Sequence, residues 1–114
     1  MRFDMSQVLV DYKGEELEAP VTKDGKVSKA PFTLRHGCCE ALMSEFPDDK
    51  QTTMQKLERE TLAGRIYMAT GPVELTAKDI TIIQDRAAKG YGARAFGPIC
   101  RALENPVADP QEKQ

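Results

Sequence analysis

The spacing of apolar residues changes character near Pro31. Before it, the apolar runs are short and β-favouring. Val8, Leu9 and Val10 with Tyr12 form one such run. Lys13-Gly14 then reads as a turn, and Glu16-Leu17-Glu18 alternates polar with apolar, which together predict a hairpin over 6–19 closed by Pro20. Asp24-Gly25, flanked by Val21 and Val27, is the tight-turn dipeptide of a second small hairpin or of one sheet edge. Pro31 limits the extension of that strand, because proline cannot donate to a ladder.

After Pro31 the period is helical. Thr33 is the N-cap of a helix with Leu34, Cys38, Ala41 and Leu42 on one face, ended by Phe46-Pro47-Asp48-Asp49. Thr52 or Thr53 caps a longer helix running to residue 69. Its apolar stripe is Leu57, Leu62, Ile66 and Ala69, with Met54 and Tyr67 nearby, and Lys56, Glu58, Arg59 and Glu60 make a solvated face. Thr70-Gly71-Pro72 stops it, and Val73-Glu74-Leu75 is an extended link. Thr76 and Asp79 form an Asp version of the capping box for a third helix, with Ile80, Ile83 and Ala87 on one side, stopped by Lys89-Gly90-Tyr91-Gly92. A last helix over 93–104 places Phe96, Ile99, Cys100 and Leu103 on the cleanest stripe of the chain, and Pro98 predicts that it starts late or bends.

The predicted fold class is therefore α+β: an N-terminal β-hairpin element over 1–31 with four helices arranged as two helical hairpins over 33–104. These form one domain, followed by a disordered polar tail over 105–114 that contains Pro106 and Pro110.

Composition fits that picture. A chain of 114 residues with 40% hydrophobic side chains can bury one core without metal or disulfide help. Trp is absent and aromatics are few, so the core leans on Leu, Ile, Val, Met and Ala. No apolar run approaches the roughly 20 residues of a membrane span, so no membrane is expected. The start MRFDMSQVLVDYKG lacks the apolar stretch and cleavage site of a secretory signal, which makes the cytoplasm the expected compartment and the three thiols reduced. The net charge of −2 argues against a uniformly basic nucleic-acid binder. It is unevenly spread, however: −3 over 1–51 and +2 over 52–104. Lys78, Arg86, Lys89, Arg94 and Arg101 could therefore line a face for an anionic partner.

The segment with the most chemistry in it is His36-Gly37-Cys38-Cys39-Glu40. Structural zinc takes four ligands, usually in spaced pairs, whereas adjacent cysteines on a helix point about 100° apart. A thiol nucleophile wants an orienting third group that no signature marks. The plainer reading makes Cys38 and Cys100 small buried residues, Cys39 partly exposed, and His36 a boundary residue. Glu15-Glu16 and Asp48-Asp49 read as solvated turn residues rather than as an acid–base pair converging in a cleft. Gly90-Tyr91-Gly92 follows a helix rather than a strand, so it is no dinucleotide loop. The interhelical loops lack the Asp series of a calcium site. A helix-turn-helix over the last two helices fails in either register: one puts Asp85 and Arg86 at a small buried position, the other puts Pro98 inside the recognition helix.

Three segments carry a resemblance: Leu62-Ala63-Gly64-Arg65-Ile66-Tyr67, the helix start from Glu74 to Ile80, and the closing Leu103-Glu104. Over 56–104 the chain resembles small proteins encoded by tailed bacteriophages and prophages. The resemblance implies phage origin and brings no activity with it. The expectation is a non-enzymatic protein–protein interaction module with no cofactor or metal, acting in the host cytoplasm on another phage protein or a host factor. Self-association and a nucleic-acid-binding regulator are the other expectations.

Overall fold

The computed structural model describes residues 1–107. It contains β1 (Arg2–Phe3), β2 (Glu18–Lys23), β3 (Lys26–Pro31), α1 (Leu34–Met43), α2 (Thr53–Met68), β4 (Val73–Glu74), α3 (Ala77–Gly90) and α4 (Ala93–Leu103). The α+β class and the four helices agree with the sequence reading.

The regular hairpin is β2–β3, antiparallel with Lys23 paired to Lys26. That register leaves a two-residue loop, and both loop residues have positive φ, Asp24 at 53° and Gly25 at 75°. This is the mirror-image turn that matches strand twist, and Asp-Gly supplies it at low cost. The ladder ends at Pro31. Apart from Ala19, the arm is open to solvent over most of its length.

The hairpin predicted over 6–19 is reduced to a bridge, Val10 to Glu16. Leu9 and Asp11 both turn inward with exposed Val10 between them, the alternation of an extended segment. The Leu9 N–H donates to the Phe32 carbonyl at 2.9 Å and the Leu17 N–H to the Leu9 carbonyl at 2.9 Å, so this segment lies between two others. Asp11 organises the turn: its carboxylate accepts from the Lys13 and Glu15 N–H groups at 2.9 and 3.1 Å. The predicted extended link at Val73-Glu74 is a strand, paired antiparallel with Arg2 and Phe3.

All three threonine caps are made. Thr33 accepts from the His36 N–H, and Thr52 and Thr76 form reciprocal capping boxes with Gln55 and Asp79. Each satisfies backbone donors that a helix start otherwise leaves unpaired. Helix α1 is the centre of the helical layer, touching α2, α3 and α4. Its Leu34, Cys38, Ala41 and Leu42 are fully buried. Gly37 lets α4 approach: a Cβ there would lie 3.0 Å from the Phe32 ring and 3.1 Å from Ile99. Helix α4 starts at Ala93 and runs through Pro98, so it does not start late, and Pro98 is buried. Residues 105–107, read from sequence as the start of a disordered tail, continue against the body, and the Val107 N–H donates to the Arg2 carbonyl at 2.8 Å. The rest of the predicted tail lies outside the described residues.

Candidate functional site

Among the described residues three charged side chains are buried, Asp11, Arg59 and Arg86, whereas sequence spacing puts Arg59 on a solvated face and Arg86 on a face open to an anionic partner. Arg59 is 4% exposed and Arg86 3%. The reason is tertiary: the chain leaving α1 needs its carbonyls satisfied where it dives between α2 and α3. Arg59 reaches from α2 to donate to the Leu42 and Ser44 carbonyls at 3.1 and 2.9 Å. Arg86 reaches from α3 to the Ser44 carbonyl and holds Asp49 with both terminal nitrogens at 2.8 Å. Asp49, read from sequence as an exposed turn residue, therefore has its side chain packed away, while Asp48 is exposed. Hydrogen bonds from Arg86 hold the Asp49 carboxyl far below the usual carboxylate range, despite the opposing effect of burial. Lys89 adds a contact to Asp49 at 3.3 Å, and Phe46 lies under the Arg86 guanidinium, 4.9 Å from ring centroid to Cζ.

Each of the five cations expected to line one face has a partner within the chain. Arg86 and Lys89 are committed to Asp49. Lys78 pairs with Glu58 at 3.3 Å. Arg94 reaches across to Asp11 at 3.0 Å, and Arg101 donates to the Val10 carbonyl at 3.4 Å. Burial pushes the Asp11 carboxyl up, but the Glu15 and Lys13 N–H groups and Arg94 outweigh it and hold it low. The sequence offered no signal for these pairings, because Asp11 and Arg94 stand 83 positions apart.

The cysteine segment is taken up by packing. Burial, with neighbouring Cys39, pushes the Cys38 thiol up to about 12. The Cys39 thiol donates to the Ala63 carbonyl at 3.6 Å. The His36 ring stands edge-on to Phe32 with centroids 5.0 Å apart. Cys100, read as buried, is half-buried. Among the described residues no group of three or more His, Cys, Asp or Glu side chains is placed to hold a metal ion.

A cavity of about 450 Å³ lies between the β2–β3 arm and the start of α4. Glu15, Glu16 and Glu18 meet Lys29 and Arg94 there, a mixed-charge cleft without a converging pair of acid and base. A different surface stands out on α2. Its inward side buries Arg59, Leu62, Ala63 and Ile66. Leu57, predicted to share that stripe, is 55% exposed, and Met54 and Met68 are 64% and 75% exposed. With exposed Thr61 and Gly64 they follow spacings of three, four, three and four. That is the a/d spacing found in helices that pair. This row lies diametrically opposite the buried side, since 100° per residue separates the two sets by about half a turn. A groove of about 280 Å³ runs beside it toward α3, lined by Met54, Leu57, Thr61, Leu62, Asp79 and Ile82. The signal was present in the sequence as that spacing, but the competing Leu57–Leu62–Ile66 stripe obscured it. No helix among the described residues is long and apolar enough to cross a membrane. Comparisons with protein-family models, with curated proteins and with solved structures gave no match.

Proposed function

We propose that this chain is a non-enzymatic protein–protein interaction module that docks through the outward side of α2. The observation that carries the reading is the seam itself. Met54, Leu57 and Met68 project into solvent at a/d spacing on a helix already anchored by its opposite side. Exposed apolar residues scattered singly are ordinary, whereas a contiguous row beside a groove marks an interaction surface. Helix-in-groove recognition uses anchors of this kind. The phage resemblance over 56–104 supports a partner encoded by the phage or its host, met in the host cytoplasm. The nucleic-acid reading draws less support, because Lys78, Arg86, Lys89 and Arg94 already face carboxylates.

The test is site-specific photo-crosslinking in producing cells. A photo-reactive phenylalanine analogue at position 57 should give a covalent protein adduct, and the same analogue at exposed Lys13 should give none. Equal labelling from both positions, or none from 57, would overturn the reading.

A further inference from the structure

We propose that the partner of the α2 seam is a second copy of this chain, laid antiparallel across it. The inference rests on the docking reading above and names its occupant.

The seam is self-complementary in one register. In an antiparallel helix pair, a positions meet d positions of the other helix, and flanking e and g positions meet their own kind. Centring the pair between Leu62 and Ala63 sets Leu57 against the partner's Met68, and Met68 against the partner's Leu57. Thr61 then meets the partner's Gly64, and Gly64 the partner's Thr61. Large residues lie at both ends and small ones in the middle, so the backbones can come close. A Cβ added to Gly64 would meet nothing within the chain, so that space is open to a neighbour.

The flanks agree with the core of the seam. On the α3 side, Glu58 faces the partner's Arg65, and Arg65 the partner's Glu58. Both are already held on that side of the helix, Glu58 by Lys78 at 3.3 Å and Arg65 by Asp79 at 3.1 Å. On the other flank Glu60 faces the partner's Tyr67, a carboxylate opposite a phenol that can donate to it. No like charges meet in this register. The opposed helix dipoles also favour it over the parallel one. The parallel arrangement would instead pair Glu60 with the partner's Arg65 and leave Glu58 opposite Thr53, so Glu58→Arg weakens association only in the antiparallel pair.

The contact is small. Residues 57–68 span only about 17 Å of helix, well short of the roughly 800 Å² per partner of a standard interface unless neighbouring elements join in. The dimer should therefore be weak, with a dissociation constant on the order of tens of micromolar.

The experiment is sedimentation equilibrium of the full chain from about 5 to 500 µM, a range set to bracket that constant. The mass should climb from 12.7 kDa toward twice that value. Glu58→Arg alone and Arg65→Glu alone each put like charges face to face and should weaken association about tenfold or more. Mixed in equal amounts, the two variants restore both attractive pairs, and association should recover. Gly64→Gln tests the central layer: it should stay monomeric, and in dilute protein, where the parent is monomeric too, its thermal midpoint should be no lower than the parent's, because glutamine is the better helix former. A parent that remains at 12.7 kDa throughout, swaps that associate like the parent, or a mixture that does not recover would each overturn the self-docking. A monomeric parent that still gives position-57 adducts to a different protein overturns the dimer and leaves the docking reading standing. Absence of any adduct overturns both.

Discussion

The two sides of α2 carry comparable apolar residues and serve different ends. Inward, Leu62, Ala63 and Ile66 disappear beneath α1, together with an arginine that the chain had to satisfy. Outward, Met54, Leu57 and Met68 stand in solvent at helix-pairing spacing. The inward side shows that burial is decided by what packs against a residue rather than by its polarity, since Arg59 is buried and Leu57 is not. Long charged side chains can be buried when carbonyls and carboxylates await their nitrogens. An apolar residue left exposed adds little to monomer stability.

That contrast can be broken experimentally, beginning on the inward side. Arg86→Ala leaves the Asp49 carboxylate without its main donor and the Ser44 carbonyl with Arg59 alone, and should cost about 4 kcal/mol of folding free energy by urea titration. A loss below about 1 kcal/mol would show the knot around Asp49 to be incidental. Ile66→Ala opens a cavity at a fully buried position and should cost about 3 kcal/mol in the same titration.

Acid sharpens the same point without a mutation. Asp49 and Asp11 both have native pKa values held below the ordinary carboxylate value of about 4. The stability they contribute is fully present above that unfolded-state value and is lost as pH falls through the native ones. The urea midpoint should therefore be level from neutral pH down to about 5 and fall below about 4. Asp49→Asn should begin lower at neutral pH and fall less on acidification. A midpoint insensitive to acid would contradict the ion pairs.

The outward side should show the smallest effect. Leu57→Ser in dilute protein should change monomer stability by less than about 0.5 kcal/mol while reducing docking. A loss comparable to that of Ile66→Ala would mean that Leu57 belongs to the core after all.

Local chemistry made much of the fold legible from sequence. Thr33, Thr52 and Thr76 announced three helix starts, because a threonine hydroxyl satisfies N–H groups only two or three residues away. Asp24-Gly25 announced a two-residue turn because the mirror-image geometry demands positive φ. Apolar spacing identified the buried face of α1 and much of the cores of α3 and α4. The candidate site was less legible. Lys78, Arg86, Lys89, Arg94 and Arg101 looked like one basic face because charge along a chain reveals nothing of its distant partners. Arg86 lies 37 residues from Asp49, and Arg94 lies 83 from Asp11. Leu57 looked like core because helical spacing alone cannot tell which side a neighbour will cover.

Sequence by itself thus determined the elements, their caps and their turns, since hydrogen bonds and backbone sterics act over a few residues. Only the tertiary structure decided which arginines were drawn inside and which apolar row of α2 was left outside. Those outcomes depend on where the Ser44 carbonyl, the Asp49 carboxylate and the flank of α1 lie in space, and packing of the whole chain sets those positions.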